Sequence, residues 1–158
     1  EKAYHLATEG RKGPVWIDIP LDIQAAPILE EKLSGFNVNS LLINKKSSFR
    51  KYKDIIKLIN SSERPIILAG HGIRLAKAAK DFTNMCKIFK IPVVTTWNAM
   101  DLLPHSSKLN IGKPGTVALR APNFAIQNSD LLISIGARLD NVVTAYNHQN
   151  FAKNAKKH

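Results

Sequence analysis

The sequence predicts an α/β protein with a doubly wound parallel sheet, and three observations carry that prediction. The short runs Ile66-Ile67-Leu68-Ala69 and Leu131-Leu132-Ile133-Ser134-Ile135 are nearly continuous apolar stretches, the pattern of strands buried on both faces. Each runs directly into a glycine, Gly70 and Gly136. From residue 50 onward such runs alternate with segments of helical periodicity, and right-handed crossovers then lay helices on both faces of one sheet.

The elements follow in chain order. Tyr4, Leu6 and Ala7 suit the end of a helix that Gly10 stops. Pro14-Val15-Trp16-Ile17-Asp18-Ile19-Pro20 reads as a strand with a proline at each end. Residues 22–49 lose periodicity and collect Pro27, Ser34-Gly35, Asn37, Asn39, Asn44 and Ser47-Ser48, and a stretch of that length marks a domain boundary. The expected division is therefore 1–24, a linker over 25–49, and a second domain over 50–158. Tyr52, Ile55, Ile56 and Ile59 repeat at helical spacing, so 50–60 is a helix, ended by Ser61-Ser62 and Pro65. Ile66–Ala69 is a strand. Leu75, Ala76, Ala79, Phe82, Cys86 and Phe89 line one face of a helix over 73–89. Pro92-Val93-Val94-Thr95-Thr96 is the next strand, and 97–116 is expected to be a long glycine- and proline-containing loop. Val117, Ala121, Phe124, Ala125 and Asn128 give another helix, with Pro122 in its early part. Asp130 is a turn residue before the last clear strand, and Phe151 to Lys157 closes as a short helix. Three strands are fewer than a sheet usually has, so the domain is expected to be cut before its final strand.

Composition narrows the function. The chain has 158 residues, 44% of them hydrophobic, which suits one domain, or one domain plus fragments of a neighbour. The 23 Lys and Arg against 12 Asp and Glu give a net charge of +11, which raises the question of nucleic acid. The lysines, however, are scattered over the polar faces of the expected helices, so no nucleic-acid partner is expected. No apolar run reaches the roughly 20 residues of a membrane helix, and the opening Glu1-Lys2-Ala3-Tyr4-His5 is no secretory signal. A single cysteine, Cys86, excludes an internal disulfide and falls on an apolar helix face, where it reads as core. A cytoplasmic protein is expected. Histidines 5, 71, 105, 148 and 158 show no ligand spacing, and no nucleophile–base order stands out. No catalytic residue and no metal ligand is therefore assigned within this chain.

What remains is a crevice. In an open parallel sheet, ligands bind beyond the carboxyl ends of the strands. Gly70-His71-Gly72 lets a ligand approach the backbone, and the helix expected after it offers N–H groups to a pyrophosphate; the spacing is not G-x-G-x-x-G, and a plain turn is the alternative. Lys113-Pro114-Gly115 places a positive charge before a helix, to hold phosphate or ribose or to stand as a solvated tip. Arg138 can stack on a flat ring or pair with phosphate, or else form a surface ion pair with Asp140. Asp140 can accept from ribose hydroxyls. Trp97, just past Thr95-Thr96, borders the same edge.

Taken together these segments resemble one family. Gly10-Arg11-Lys12-Gly13-Pro14-Val15-Trp16-Ile17-Asp18-Ile19-Pro20-Leu21-Asp22-Ile23-Gln24 resembles the segment that ends the first domain of the acetolactate (acetohydroxyacid) synthase-like enzymes, which depend on thiamine diphosphate. Ile66–Gly72, Pro92–Thr96, Asn123-Phe124-Ala125, Asn128–Leu132 and Gly136–Asp140 resemble, in order, the strands, helix and exit turns of that family's Rossmann-like central domain. The resemblance implies that 1–24 is the tail of a pyrimidine-binding domain and 50–158 most of the central domain. It implies a catalytic glutamate upstream of Glu1, and a Gly-Asp-Gly motif for magnesium and diphosphate downstream of His158. This chain alone is then expected to be inactive. The whole enzyme would decarboxylate a 2-keto acid such as pyruvate and join the remainder to a second carbonyl compound, working as a homodimer or homotetramer. In the family's synthases the central domain holds FAD. Carried over residue by residue, that role falls on Gly70, His71, Gly72, Thr95, Thr96, Trp97, Gly136, Ala137, Arg138 and Asp140; Lys113 and Gly115, read from the loop itself, complete the candidate nucleotide-binding residues. Two departures bear on it: the usual Gly-Met-His-Gly is Gly112-Lys113-Pro114-Gly115 here, and Arg-Phe-Asp-Asp-Arg-Val-Thr-Gly is Arg138 to Ala145. The alternative is a stand-alone nucleotide-binding or purely structural Rossmann-like module without thiamine chemistry.

Overall fold

The computed structural model describes residues 1–10, 12–41 and 49–158. The chain divides into two units, Glu1–Ser47 and Ser48–His158.

The first unit holds helix α1 (Lys2–Thr8) and a single turn of helix, α2 (Leu21–Gln24), followed by 3₁₀ turns at Glu30–Lys32 and Val38–Leu41. Gly10, at φ +61°, lets the chain reverse after α1. Residues 14–20, expected as a strand, take no regular secondary structure and pair with no strand among the described residues. An isolated strand has no ladder to stabilise it, and Trp16 is 90% exposed. No described side chain of this unit is buried. Residues 42–48 of the expected linker, with Asn44 and Ser47-Ser48, lie outside the described residues, as does Arg11.

The second unit is built on five parallel strands: β1 (Pro65–Ala69), β2 (Val93–Thr95), β3 (Asn110–Gly112), β4 (Leu131–Ile135) and β5 (Lys156–Lys157), in the order β3-β2-β1-β4-β5. The strongest apolar runs, β1 and β4, lie side by side at the centre over five residue pairs, Pro65↔Leu131 to Ala69↔Ile135. Because side chains alternate across a strand, two cores form. Ile67, Ala69, Val93, Leu131 and Ile133 pack with Phe82 and Cys86 of α5 (Ala79–Phe89), and Leu58 and Ile59 of α3 (Phe49–Ser61) lie against them. Ile66, Leu68, Val94 and Leu132 pack on the other face with Ile126 of α6 (Arg120–Gln127) and with Val143, Phe151 and Ala152. This is the doubly wound arrangement the sequence predicts.

Three expectations need correction. The helix expected over 73–89 is two helices, α4 (Gly72–Leu75) and α5. The break is a Schellman end: Lys77, at φ +56°, donates to Arg74 O at 2.8 Å, and Ala78 N–H donates to Ile73 O at 2.9 Å. A lysine occupies the position where glycine is usual, so no local signal marks it. The loop expected over 97–116 contains a 3₁₀ helix, Trp97–Leu102, and strand β3. The closing helix is instead turns leading to β5, where Lys156 N–H donates to Asp130 O at 2.9 Å and His158 N–H to Leu132 O at 3.0 Å. Ala152, buried at φ +47°, breaks helical continuation there.

Asp130 ties the start of β4 to the start of β1. Its carboxylate accepts from the Ser62 hydroxyl, from Glu63 N–H at 2.7 Å and from Arg64 N–H at 2.9 Å. These bonds, the Ser62 one foremost, hold its pKa down to about 2, below the ordinary 3.8. Cys86 is buried in the core, and burial pushes its thiol pKa up. No helix among the described residues is long and apolar enough to cross a membrane.

Candidate functional site

The strand order fixes where a ligand crevice belongs. From β1 the chain winds outward through β2 to β3, then returns to the other side of β1 for β4 and β5. The direction of winding therefore switches between β1 and β4, and the crevice of an open α/β sheet lies at the carboxyl ends of such a pair. The loops leaving those two strands are Gly70-His71-Gly72 and Gly136-Ala137-Arg138. Since all strands are parallel, Thr96-Trp97 after β2 and Lys113 to Gly115 after β3 leave from the same edge. All twelve candidate residues thus belong to one end of the sheet.

The β1 and β4 exits are joined backbone to backbone. Gly70 N–H donates to Ile135 O and Gly72 N–H to Gly136 O, each at 2.9 Å. A Cβ on Gly70 would fall on the backbone of Gly136 and Ala137, and one on Gly72 would stand 2.8 Å from Gly136 Cα. Gly136 itself sits at φ +59°, and its Cβ would stand 2.6 Å from Ile73 N. The close approach that these glycines allow is between the two exits. The expected phosphate site at the start of a long helix changes accordingly: α4 is one turn long, Gly72 N–H is committed to Gly136, and Ile73 N–H donates to Gly70 O at 3.2 Å. His71 leans towards the β2 exit, its Nδ1 3.0 Å from Asn98 O. A carbonyl only accepts, so Nδ1 carries the proton of that bond. Arg74 pairs with Asp101 at 2.7 Å, and this bond holds the Asp101 carboxyl below its usual range.

The β2 and β3 exits meet through side chains. Thr95 is buried at the end of β2, and Thr96 N–H donates to Ala69 O at 2.9 Å, tying the exit to β1. Trp97 is 43% exposed, and Lys113 Nζ lies over its ring, 4.2 Å from the centroid. The loop that presents Lys113 is firmly held. Pro114 and Gly115 are buried, and Gly115 adopts φ +117°. Its N–H donates to Asn123 Oδ1 at 2.9 Å, and Asn123 Nδ2 donates back to Gly115 O at 3.1 Å. Thr116 N–H donates to Val142 O at 3.0 Å. Asn123 and Val142 are site-building residues that sequence reasoning missed, because their partners are set only by the fold.

Beyond β4, Arg138 is exposed and pairs with no carboxylate among the described residues. The ion pair with Asp140 is not formed. Asp140 caps the turn that follows: its Oδ1 accepts from Val143 N–H at 2.9 Å, and its main-chain carbonyl accepts from Thr144 N–H and the Thr144 hydroxyl at 3.0 and 2.8 Å. One carboxylate oxygen is therefore committed within the loop. Among the described residues no group of three His, Cys, Asp or Glu is placed to hold a metal ion. Cavities among the described residues also lie away from the strand exits. One of about 260 Å³ is between α6 and residues 143–151. One of about 340 Å³, lined by Arg64, Pro65, Pro92 and Asn128, is at the amino ends of the strands.

Known proteins with this sequence pattern agree with the architecture. Residues 52–158 match the family model described as "Thiamine pyrophosphate enzyme, central domain". The chain is 36% identical over 162 residues to the probable acetolactate synthase large subunit of Methanococcus aeolicus, covering 98% of this chain and 26% of that protein. It is 36% identical over 160 residues to the acetolactate synthase large subunit of Corynebacterium glutamicum, with 98% and 25% covered. To the acetolactate synthase isozyme 1 large subunit of Escherichia coli K12 it is 32% identical over 163 residues, with 98% and 26% covered. The chain thus spans about a quarter of the length of these curated relatives. With a parallel sheet of matching class and a family match over more than half its residues, the chain belongs to the thiamine pyrophosphate enzymes, as their central domain.

Proposed function

We propose that this chain is part of a thiamine-diphosphate-dependent acetolactate synthase-like enzyme, and that its own part is to bind a nucleotide, FAD or an ADP-like one, at the switch-point crevice. The observation that carries the proposal is positional. Two strand exits meet where the winding reverses, and the side chains leaving that edge are cationic and aromatic. Their chemistry fits a nucleotide. Arg138 offers a planar guanidinium to phosphate or a ring face, Lys113 a second positive charge, and Trp97 a flat apolar surface. The fit lies in these side chains, because the N–H groups of Gly72 and Ile73 are already committed within the fold.

In the whole enzyme, thiamine diphosphate with magnesium supplies the electron sink for decarboxylating a 2-keto acid such as pyruvate and joining the remainder to a second carbonyl compound. The residues of this chain bind and orient the nucleotide, and the two-faced core makes the domain a stiff support. The enzyme acts in the cytoplasm as a homodimer or homotetramer. A second reading, a purely structural brace, is favoured by the backbone-filled seam between the β1 and β4 exits.

Calorimetric titration of the chain with ADP separates the two. Saturable one-to-one binding supports the nucleotide reading; absence of heat at millimolar ADP leaves the brace. Supplied with pyruvate, thiamine diphosphate and magnesium, the chain is expected to release no carbon dioxide above a protein-free control. Steady release would overturn its assignment as a non-catalytic part.

A further inference from the structure

The two faces of the sheet carry different outer surfaces. The helices on the α3 and α5 side expose Asp54, Lys57, Lys80, Asp81 and Lys87 to solvent. The α6 side is nearly uncharged: residues 117–127 and 141–150 contain one charged side chain, Arg120. Large rings stand out from it all the same, with Tyr146 68% exposed and Phe124 54% exposed. Single exposed hydrophobics are ordinary, but exposed rings on an uncharged face mark an interaction surface.

That face also has a hole. The cavity of about 260 Å³ opens between α6 and the turn that follows Asp140, with buried Ile126, Val143 and Phe151 in its wall and the exposed amides of Gln127 and Asn147 at its rim. A cavity of ~150 Å³ already holds a benzene ring, so an aromatic side chain fits, and a phenolic hydroxyl entering it finds amide partners at the rim. Tyr146 stands beside this hole, between two residues of its wall, Ala145 and Asn147. The turn that presents it is set. Ala145 and Tyr146 both hold left-handed backbone, at φ +53° and +57°, which persists only where the surroundings fix it. Tyr146 N–H donates to Asn141 O at 2.7 Å, and Asn147 N–H to Thr144 O at 3.0 Å. A ring on a fixed turn loses little freedom on docking.

We infer that the α6 face is a contact between two copies of this chain, in which Tyr146 of each copy enters the cavity beside α6 of the other. Knob and hole lie side by side on one surface, so a two-fold axis between them satisfies both at once. Charge points to the same partner. Each copy carries +11, and like-charged copies repel; they meet at least cost where the surface charge is smallest. The inference rests on the homo-oligomer reading given above, names the surface that carries it, and is independent of any nucleotide.

Sedimentation velocity over a range of protein concentrations tests it, on the unaltered chain and on Tyr146→Ser, Gln127→Arg and, on the α5 side, Ile88→Ser. Far-ultraviolet circular dichroism and a urea midpoint check that each variant folds. The unaltered chain is expected to form dimers. Tyr146→Ser removes the knob and Gln127→Arg obstructs the hole, and each is expected to raise the dimer dissociation constant at least about 10-fold. Ile88→Ser is expected to leave it within about 2-fold. An equal mixture of Tyr146→Ser and Gln127→Arg keeps one intact knob facing one intact hole, and is expected to associate more tightly than either variant alone. A monomer at every concentration overturns the inference and leaves this face to another part of the enzyme or to none. Dimers that neither Tyr146→Ser nor Gln127→Arg weakens also overturn it, while the homo-oligomer reading stands on some other surface.

Discussion

Two pairs of strand exits leave the same edge of the sheet and differ in how much their side chains contribute. At β1 and β4 the chain uses glycine, and the space where side chains would stand is filled by the neighbouring backbone. At β2 and β3 it adds side chains, an indole, a lysine over it and an amide that grips Gly115, whose own Cβ space is filled by the Val142 backbone. A glycine after a buried strand thus has two physical meanings. It can open the backbone to a ligand, or it can let two backbones meet. Here the second applies at the centre of the sheet, and the ligand chemistry we propose rests on the flanking side chains.

The contrast can be broken at several points. The largest effect is expected from Gly70→Ala. Its Cβ would land on backbone atoms of Gly136 and Ala137, which cannot swing aside as a side chain can. We expect a loss of about 3 kcal/mol, read as a fall in the urea midpoint; a wild-type midpoint would mean that the seam is loose. Gly115→Ala combines a left-handed φ of +117° with a clash against Val142 O, and about 2 kcal/mol is expected. Asn123→Ala removes both bonds that hold Gly115 and is expected to cost about 1–2 kcal/mol, while the seam stays intact. A thermal shift confined to Gly70→Ala, with Asn123→Ala neutral, would show that the side-chain pair of exits needs no such support.

Asp130 gives a pH test at the opposite end of the same two central strands. Its folded-state pKa of about 2 is below the ordinary 3.8. Its contribution is therefore fully present above 3.8, is lost progressively as pH falls towards 2, and is absent below both values. Asp130→Asn should flatten the fall in urea midpoint over that window. A parallel fall in the variant would assign the acid sensitivity to other carboxyls. The smallest effect on stability is expected from Arg138→Ala, within about 0.5 kcal/mol, because the guanidinium pairs with no carboxylate among the described residues. Its effect on ADP affinity is expected to be roughly 10-fold weakening. Unchanged affinity would remove Arg138 from the site.

The legible parts of the fold are those whose signal is carried by several residues at once. The runs 66–69 and 131–135 declare β1 and β4, and the apolar spacing of 52, 55, 56 and 59 declares α3. Strands β3 and β5 carry no such pattern. They are three and two residues long, and Lys156-Lys157 at an exposed sheet edge is polar for the same reason that edges generally are. The end of α4 is hidden because Lys77 occupies a left-handed position usually given to glycine. At the site, the glycines and Arg138 stand out in the sequence because strand ends are visible there. The Asn123 clamp does not, since an amide eight residues from its partner means nothing until a turn brings them together. Asp140 is a local case: its hydrogen bond to Val143, three residues on, is a capping pattern that could have been read as such.

Amide chemical-shift mapping of the chain during an ADP titration tests the central claim most directly. The account predicts perturbations concentrated at residues 95–97, 113–116 and 136–140, with little change at Arg64, Ile66, Ala125 and Asn128 around the cavity at the amino ends of the strands. Shifts centred on that opposite cavity, with the carboxyl-edge exits silent, would contradict it.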